Sequence, residues 1–348
     1  MLLSRENRRI FWRGAAAAAL APVLLAALLP ADAFAHVKWF AHYDIVQQPL
    51  PLKQVFSPVF WQLIATAAIL LWLLSYVERI RLGAAFLGAI ERVSAGFRPR
   101  TEAFYRGGTA VFFAALFALG GIILTPELKT DWAAISWLEA GISLGMLWRR
   151  TMIVSALGIA FLYAYGVASY GIFHMLDYPI FLALAAYLGL TGLDLKLFNL
   201  RPLDVARWGA SITLMWASIE KWAYPDWTYP LLQSRPEIAL NLDPVFYMTA
   251  AGVAEFSLAF ALLWTPLVRR SAAIVLAFMF IGAVLDFGKI DAIGHLMIIV
   301  ILFGIIADDQ PDERHAPLLA PLWYCASLVV FVAAYYGLHA AIYNTSIW

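Results

Sequence analysis

The chain has a single cysteine, Cys325, among 348 residues. It lies in an apolar run without a partner, which excludes an intramolecular disulfide, a CxxC redox pair and a cysteine-ligated cluster. Charge is scarce as well. Asp, Glu, Lys and Arg make up 14% of the residues, against about 25% in a soluble domain. GxGxxG, P-loop and HExxH patterns are absent, so nucleotide binding and zincin chemistry have no support. A net charge of +1 gives no case for nucleic acid as a partner. What the chain has in excess is apolar surface, with 63% hydrophobic residues and a mean hydropathy of +0.77. Such a chain cannot cover itself with polar groups. It reads as all-α, a polytopic transmembrane helix bundle whose first partner is the lipid bilayer.

Apolar runs near the ~20 residues that a crossing helix needs fall at 14–30, 58–77, 107–124, 133–148, 151–172, 178–193, 207–222, 246–264, 271–286, 292–306 and 319–341. Basic residues orient them. Arg5, Arg8, Arg9 and Arg13 precede the first run, and the loop 78–106 carries six arginines. Arg149-Arg150, then Lys196, Arg201 and Arg207, then Arg269-Arg270, then Arg314 follow at every second boundary. By the positive-inside rule these boundaries are cytoplasmic. Residues 31–57 and the C-terminus, Trp348, then lie on the periplasmic or external side of a bacterial-type inner (plasma) membrane. The first run has a basic start, an apolar middle and a small-x-small end at Ala33-Phe34-Ala35. Residues 1–35 are either a signal peptide or an N-terminal anchor. Residues 36–57, with "HVKWFAHYD", form an external segment, and 58–105 hold a first helix and a basic cytoplasmic loop.

The middle of the chain reads as a duplication. One unit opens at Arg106-Gly107-Gly108 and the other at Arg207-Trp208-Gly209. Each continues to a helix with one acid, "EAGISLGMLW" from Glu139 and "EFSLAFALLW" from Glu255, followed by an Arg-Arg pair. Each then leads outward to a histidine, His174 or His295. Four spans per unit imply parallel repeats related by an axis along the membrane normal, at 106–193 and 205–307. A last helix, 319–341, follows.

Unit two, with "RWGASITLMWASIEKW", "AGVAEFSLAFALLW", "RRSAAIVLAFMF" and "IGHLMIIVILFGII", resembles the DoxX-like (DoxX/DoxD) membrane protein family over about 205–307. The likeness is weaker over 105–193. The resemblance implies a four-helix membrane fold, and one branch, DoxD, is linked to thiosulfate:quinone oxidoreduction. It also places Glu255 and Lys221 at the family's intramembrane polar positions. To this pattern the chain adds its duplication, the external histidine segment and the last helix.

Ionisable groups within spans are expensive and mark candidate sites. Glu139 and Glu255 are the foremost, with Lys221, His174 and His295 as the candidate partners for these acids. Asp291 and His295, four apart, share a helix face. His174 and Asp177, three apart, meet if their helix continues. A carboxylate beside an imidazole binds a metal or fixes the tautomer for proton transfer. Trp222, Tyr224, Trp227 and Tyr229 read as an aromatic belt, and Glu220-Lys221 as a helix end. His36 and His42 are a candidate nitrogen-ligand metal site suited to copper. Together these residues suggest an oxidoreductase subunit or accessory that uses quinone or a transition metal, beside a membrane redox partner or a second copy. The rival readings are a transporter with a cation site between repeats and a structural subunit of a membrane complex.

Overall fold

The computed structural model describes Lys38 and residues 43–195, 200–309 and 316–348. Eleven principal helices build an all-α bundle among these residues. They are α1 (Pro58–Val77), α2 (Arg81–Ser94), α3 (Thr101–Leu119), α4 (Ala133–Gly145), α5 (Met152–Tyr170), α6 (Pro179–Leu193), α7 (Pro202–Ala223), α8 (Pro244–Ala261), α9 (Pro266–Phe287), α10 (Lys289–Ala307) and α11 (Leu319–Tyr343). Six helices are long and apolar enough to cross a membrane: Pro58–Val77, Arg149–Tyr170, Pro244–Ala261, Pro266–Phe287, Lys289–Ala307 and Leu319–Tyr343. The chain is therefore a multi-pass membrane protein. Helices α4 and α6 are shorter, at 13 and 15 residues, and α7 carries charge at both ends.

Local chemistry sets the boundaries. Proline stands at the first position of α1, α6, α7, α8 and α9, where its missing N–H costs nothing. Ser57 and Asp243 cap α1 and α8 by accepting from the amides of Phe60 and Phe246, at 3.2 and 2.9 Å. The span read over 107–124 is corrected. Its helix begins earlier, at Thr101, and stops at Leu119, because Gly120 and Gly121 take left-handed φ values of 68° and 64°. The apolar run beyond them forms an antiparallel hairpin of β1 (Ile122–Ile123) and β2 (Thr125–Lys129). These β-branched residues satisfied the length expected of a span but prefer extended backbone.

Helices α3, α4, α5 and α6 form one group and α7, α8, α9 and α10 another. Between the groups, the last helix of the first packs on the first of the second (α6 on α7), and the first on the last (α3 on α10). Close approach there depends on small residues: a Cβ on Gly108 would meet Val300 at 2.5 Å, and one on Gly304 would meet the Tyr105 hydroxyl at 2.4 Å. Helices α1 and α11 pack beside the second group, and amphipathic α2 lies across one end of it. At that arginine end Arg201 bridges Asp204 and Asp308, at 2.6 and 2.8 Å, joining the start of α7 to the end of α10. The opposite end gathers the acids and histidines.

Candidate functional site

The C-terminal end of α7 supplies two consecutive ionisable residues that point to different partners. Lys221 Nζ lies 2.5 Å from Glu255 Oε2 on α8, the pairing that the cost of a buried carboxylate demands. Glu220, read from sequence as a mere helix end, is buried and holds Lys38. Lys38 comes from the segment that the sequence reading places outside the membrane, yet its side chain is only 2% exposed. Its ammonium also sits 2.5 Å from Asp177 Oδ2, with the rings of Tyr43 and Trp227 each 5.7 Å away. Burial opposes its charge. Asp177 first, then Glu220 and Glu127, more than offset this and hold Lys38 well above the ordinary lysine range.

A second cluster adjoins the first. Gly171 ends α5, and a helical turn, Ile172–Met175, then presents His174 inward. Its Nε2 meets Glu127 Oε1 of β2 at 2.9 Å. The Tyr178 hydroxyl donates to the same carboxylate oxygen. Burial pushes the Glu127 carboxyl up, but the hydrogen bond to His174, the Lys38 charge and Tyr178 outweigh it and bring the group to about 2. The expectation that His174 and Asp177 bond along one helix is corrected. The turn stops at Met175 and α6 starts afresh at Pro179, so His174 takes Glu127 and Asp177 takes Lys38. Even so, one ligand-capable atom from each of Glu127, His174 and Asp177 lies within 4.8 Å of the others.

On α10, Asp291 and His295 share a face as their spacing predicts, and Nδ1 of His295 lies 2.9 Å from Asp291 Oδ2. The Phe280 ring lies against His295, with centroids 4.6 Å apart. These residues, Lys38, Asp177 and the Lys221–Glu255 pair border a cavity of about 340 Å³ between the second helix group and the start of α6. Its other walls are mostly apolar, among them Leu214, Met248, Ala283 and Phe287. Thr228, Leu231 and Ile238 from the proline-rich 223–245 loop also line it.

Glu139 stands apart from this site. It is fully buried on α4, and neither carboxylate oxygen has a hydrogen-bond partner among the described residues. Its expected partners are all engaged elsewhere: Lys221 with Glu255, His174 with Glu127, His295 with Asp291. The aromatic-belt reading of 222–229 is corrected as well. Trp222, Tyr224 and Trp227 are buried, and Tyr224 stacks on Trp227 at 4.2 Å over Lys38. The reason is that the loop folds inward, so that Trp227 covers the Lys38 ammonium with Tyr224 stacked on it, while Trp222 packs on Phe60 and Phe256. His36 and His42 lie outside the described residues. Sequence reasoning missed Glu127, and it missed Lys38 inside the very segment it singled out. The available signal was an acid, Glu127, following the apolar run Ile122–Leu124 in an otherwise short connection.

No family model, curated protein or solved structure matches this chain.

Proposed function

We propose that the protein is a membrane redox component that binds a quinone-class molecule in this cavity and exchanges protons with it. The observation that carries the reading is the cavity's composition. It is an apolar chamber of about 340 Å³ whose ionisable lining includes hydrogen-bonded acid–base pairs, Lys221–Glu255 and Asp291–His295. Ring-bearing apolar ligands favour such pockets, with a few convergent polar groups to orient them. Reduction of a quinone takes up two electrons and two protons. The protons would pass through His295 and Lys221, each recharged by its carboxylate partner. The electrons would come from a membrane redox partner. The DoxX-like resemblance supports the same reading. The basic-loop alternation would put the chamber in the outer half of the membrane.

The test is purification in mild detergent, solvent extraction and mass analysis for quinones, followed by titration with a short-chain benzoquinone read by tryptophan quenching. We expect saturable quenching in the wild type and its loss in Ala283→Phe, which fills the chamber. Absence of extracted quinone together with equal quenching in both proteins overturns the proposal.

A further inference from the structure

The cluster of Glu127, His174 and Asp177 adjoins the proposed quinone chamber, whose lining includes Asp177 and the cluster's neighbours Lys38 and Tyr178 but neither Glu127 nor His174. All three side chains are buried. They come from three local devices: the β2 strand, the helical turn after Gly171, and the residues just before Pro179. Each presents one donor atom to a common centre, and these atoms lie within 4.8 Å of one another. A divalent ion bound by nitrogen and carboxylate oxygen sits about 2.0–2.2 Å from each ligand, so modest side-chain adjustment closes the set around one ion.

Charge makes the site incomplete as it stands. Glu127, Asp177 and Glu220 are three buried carboxylates, and Lys38 is the one cation set among them in the described residues. With His174 neutral the group carries a formal −2 when all three carboxylates are ionised, and −1 when Glu220 holds a proton. A buried charge excess of that size is costly unless it is matched. Glu127 supplies an independent sign of the same shortfall. Its Oε1 takes both His174 and Tyr178, while its buried Oε2 has no hydrogen-bond partner among the described residues.

We infer that Glu127, His174 and Asp177 form a binding site for one divalent first-row transition ion of the zinc or manganese class, with Lys38 as a competing internal cation. One imidazole nitrogen and two carboxylate oxygens suit these ions better than cuprous copper, which prefers sulfur, or calcium, which prefers six to eight oxygens. The ion supplies positive charge that Lys38 alone does not. It takes a ring nitrogen of His174, in the tautomer that leaves that nitrogen unprotonated, and the unused Oε2 of Glu127. On Asp177 it meets the oxygens that Lys38 also seeks. This inference does not depend on the quinone reading, since none of its three ligands is among the acid–base pairs assigned to quinone.

The experiment uses the full chain, purified in detergent with a tag that contains no histidine. Metal is stripped with EDTA, and Zn²⁺ or Mn²⁺ is then titrated by calorimetry and by thermal shift. We expect one ion per chain in the wild type and a rise in Tm on binding. Affinity should fall at least 100-fold in Glu127→Gln and in His174→Gln, substitutions that keep side-chain volume. Lys38→Met is the decisive variant. A merely structural cluster loses stability there and gains nothing from metal. A metal site instead binds more tightly, by tenfold or more, and the ion restores Tm. The inference is overturned if neither ion binds wild type or Lys38→Met, or if Glu127→Gln and His174→Gln bind as wild type does.

Discussion

Lys38 and Asp177 are 139 positions apart in the chain, yet Nζ and Oδ2 meet at 2.5 Å in a setting closed to solvent. The contact ties the segment before α1 to the turn between α5 and α6, and through Glu220 to α7. A lysine from the region before the first described helix thereby becomes part of the interior.

The first expectation concerns that contact. Lys38→Met should destabilise the metal-free protein by about 3–5 kcal/mol, because it leaves Asp177 and Glu220 as buried charges without a counter-ion. Thermal unfolding in detergent with EDTA measures it. A change under ~1 kcal/mol would mean that water or another cation already serves these carboxylates.

Stability should respond to pH in two windows. The Glu127 carboxyl lies at about 2, below its ordinary 4.5. A group depressed in the folded state contributes stability above its unfolded value and loses it as pH falls through the folded one. The loss should therefore run from about pH 4.5 down to 2. Lys38 behaves oppositely. Being raised well above 10.5, it contributes fully below that value, and the contribution disappears only as the pH climbs beyond it. Melting curves of wild type and Glu127→Gln against pH test the acid limb, which should be flatter in the variant.

Glu139 gives a prediction of opposite sign. Both its oxygens lack partners among the described residues, so Glu139→Gln removes no ion pair and avoids burying a charge. The variant should equal or exceed wild type in unfolding free energy, by up to about 2 kcal/mol. Glu255→Gln should instead lower stability by about 2–4 kcal/mol, since it strands Lys221. Side-by-side unfolding of the two variants decides whether these acids are equivalent. Equal losses would show that Glu139 has a partner after all.

Sidedness can be read directly. Reporter fusions at residue 90, in α2, and after Trp348 should report cytoplasm and exterior respectively. A cytoplasmic C-terminus would require one span fewer or one more than the alternation of basic loops gives.

The amino-acid pattern by itself determined the membrane class and the helical architecture. Apolar runs and proline or capping residues act within a few positions of where they stand, so α1, α8, α9, α10 and α11 follow from local chemistry. Spacing along one helix likewise determined the Asp291–His295 pair, because residues four apart share a face whatever the rest of the chain does. The Lys221–Glu255 pair was legible for a different reason. An intramembrane acid needs a cation, and few were within reach. Tertiary structure alone decided the remainder. Glu127 became a ligand-type residue only when Gly120 and Gly121 turned the chain into a hairpin and carried β2 over His174. Asp177 exchanged its sequence neighbour for Lys38, and Glu139 was left alone when each of its candidate partners found a carboxylate closer by. Electrostatic partnership depends on distance in space, falling off over a few ångströms, and a linear pattern fixes such distances only along a single helix.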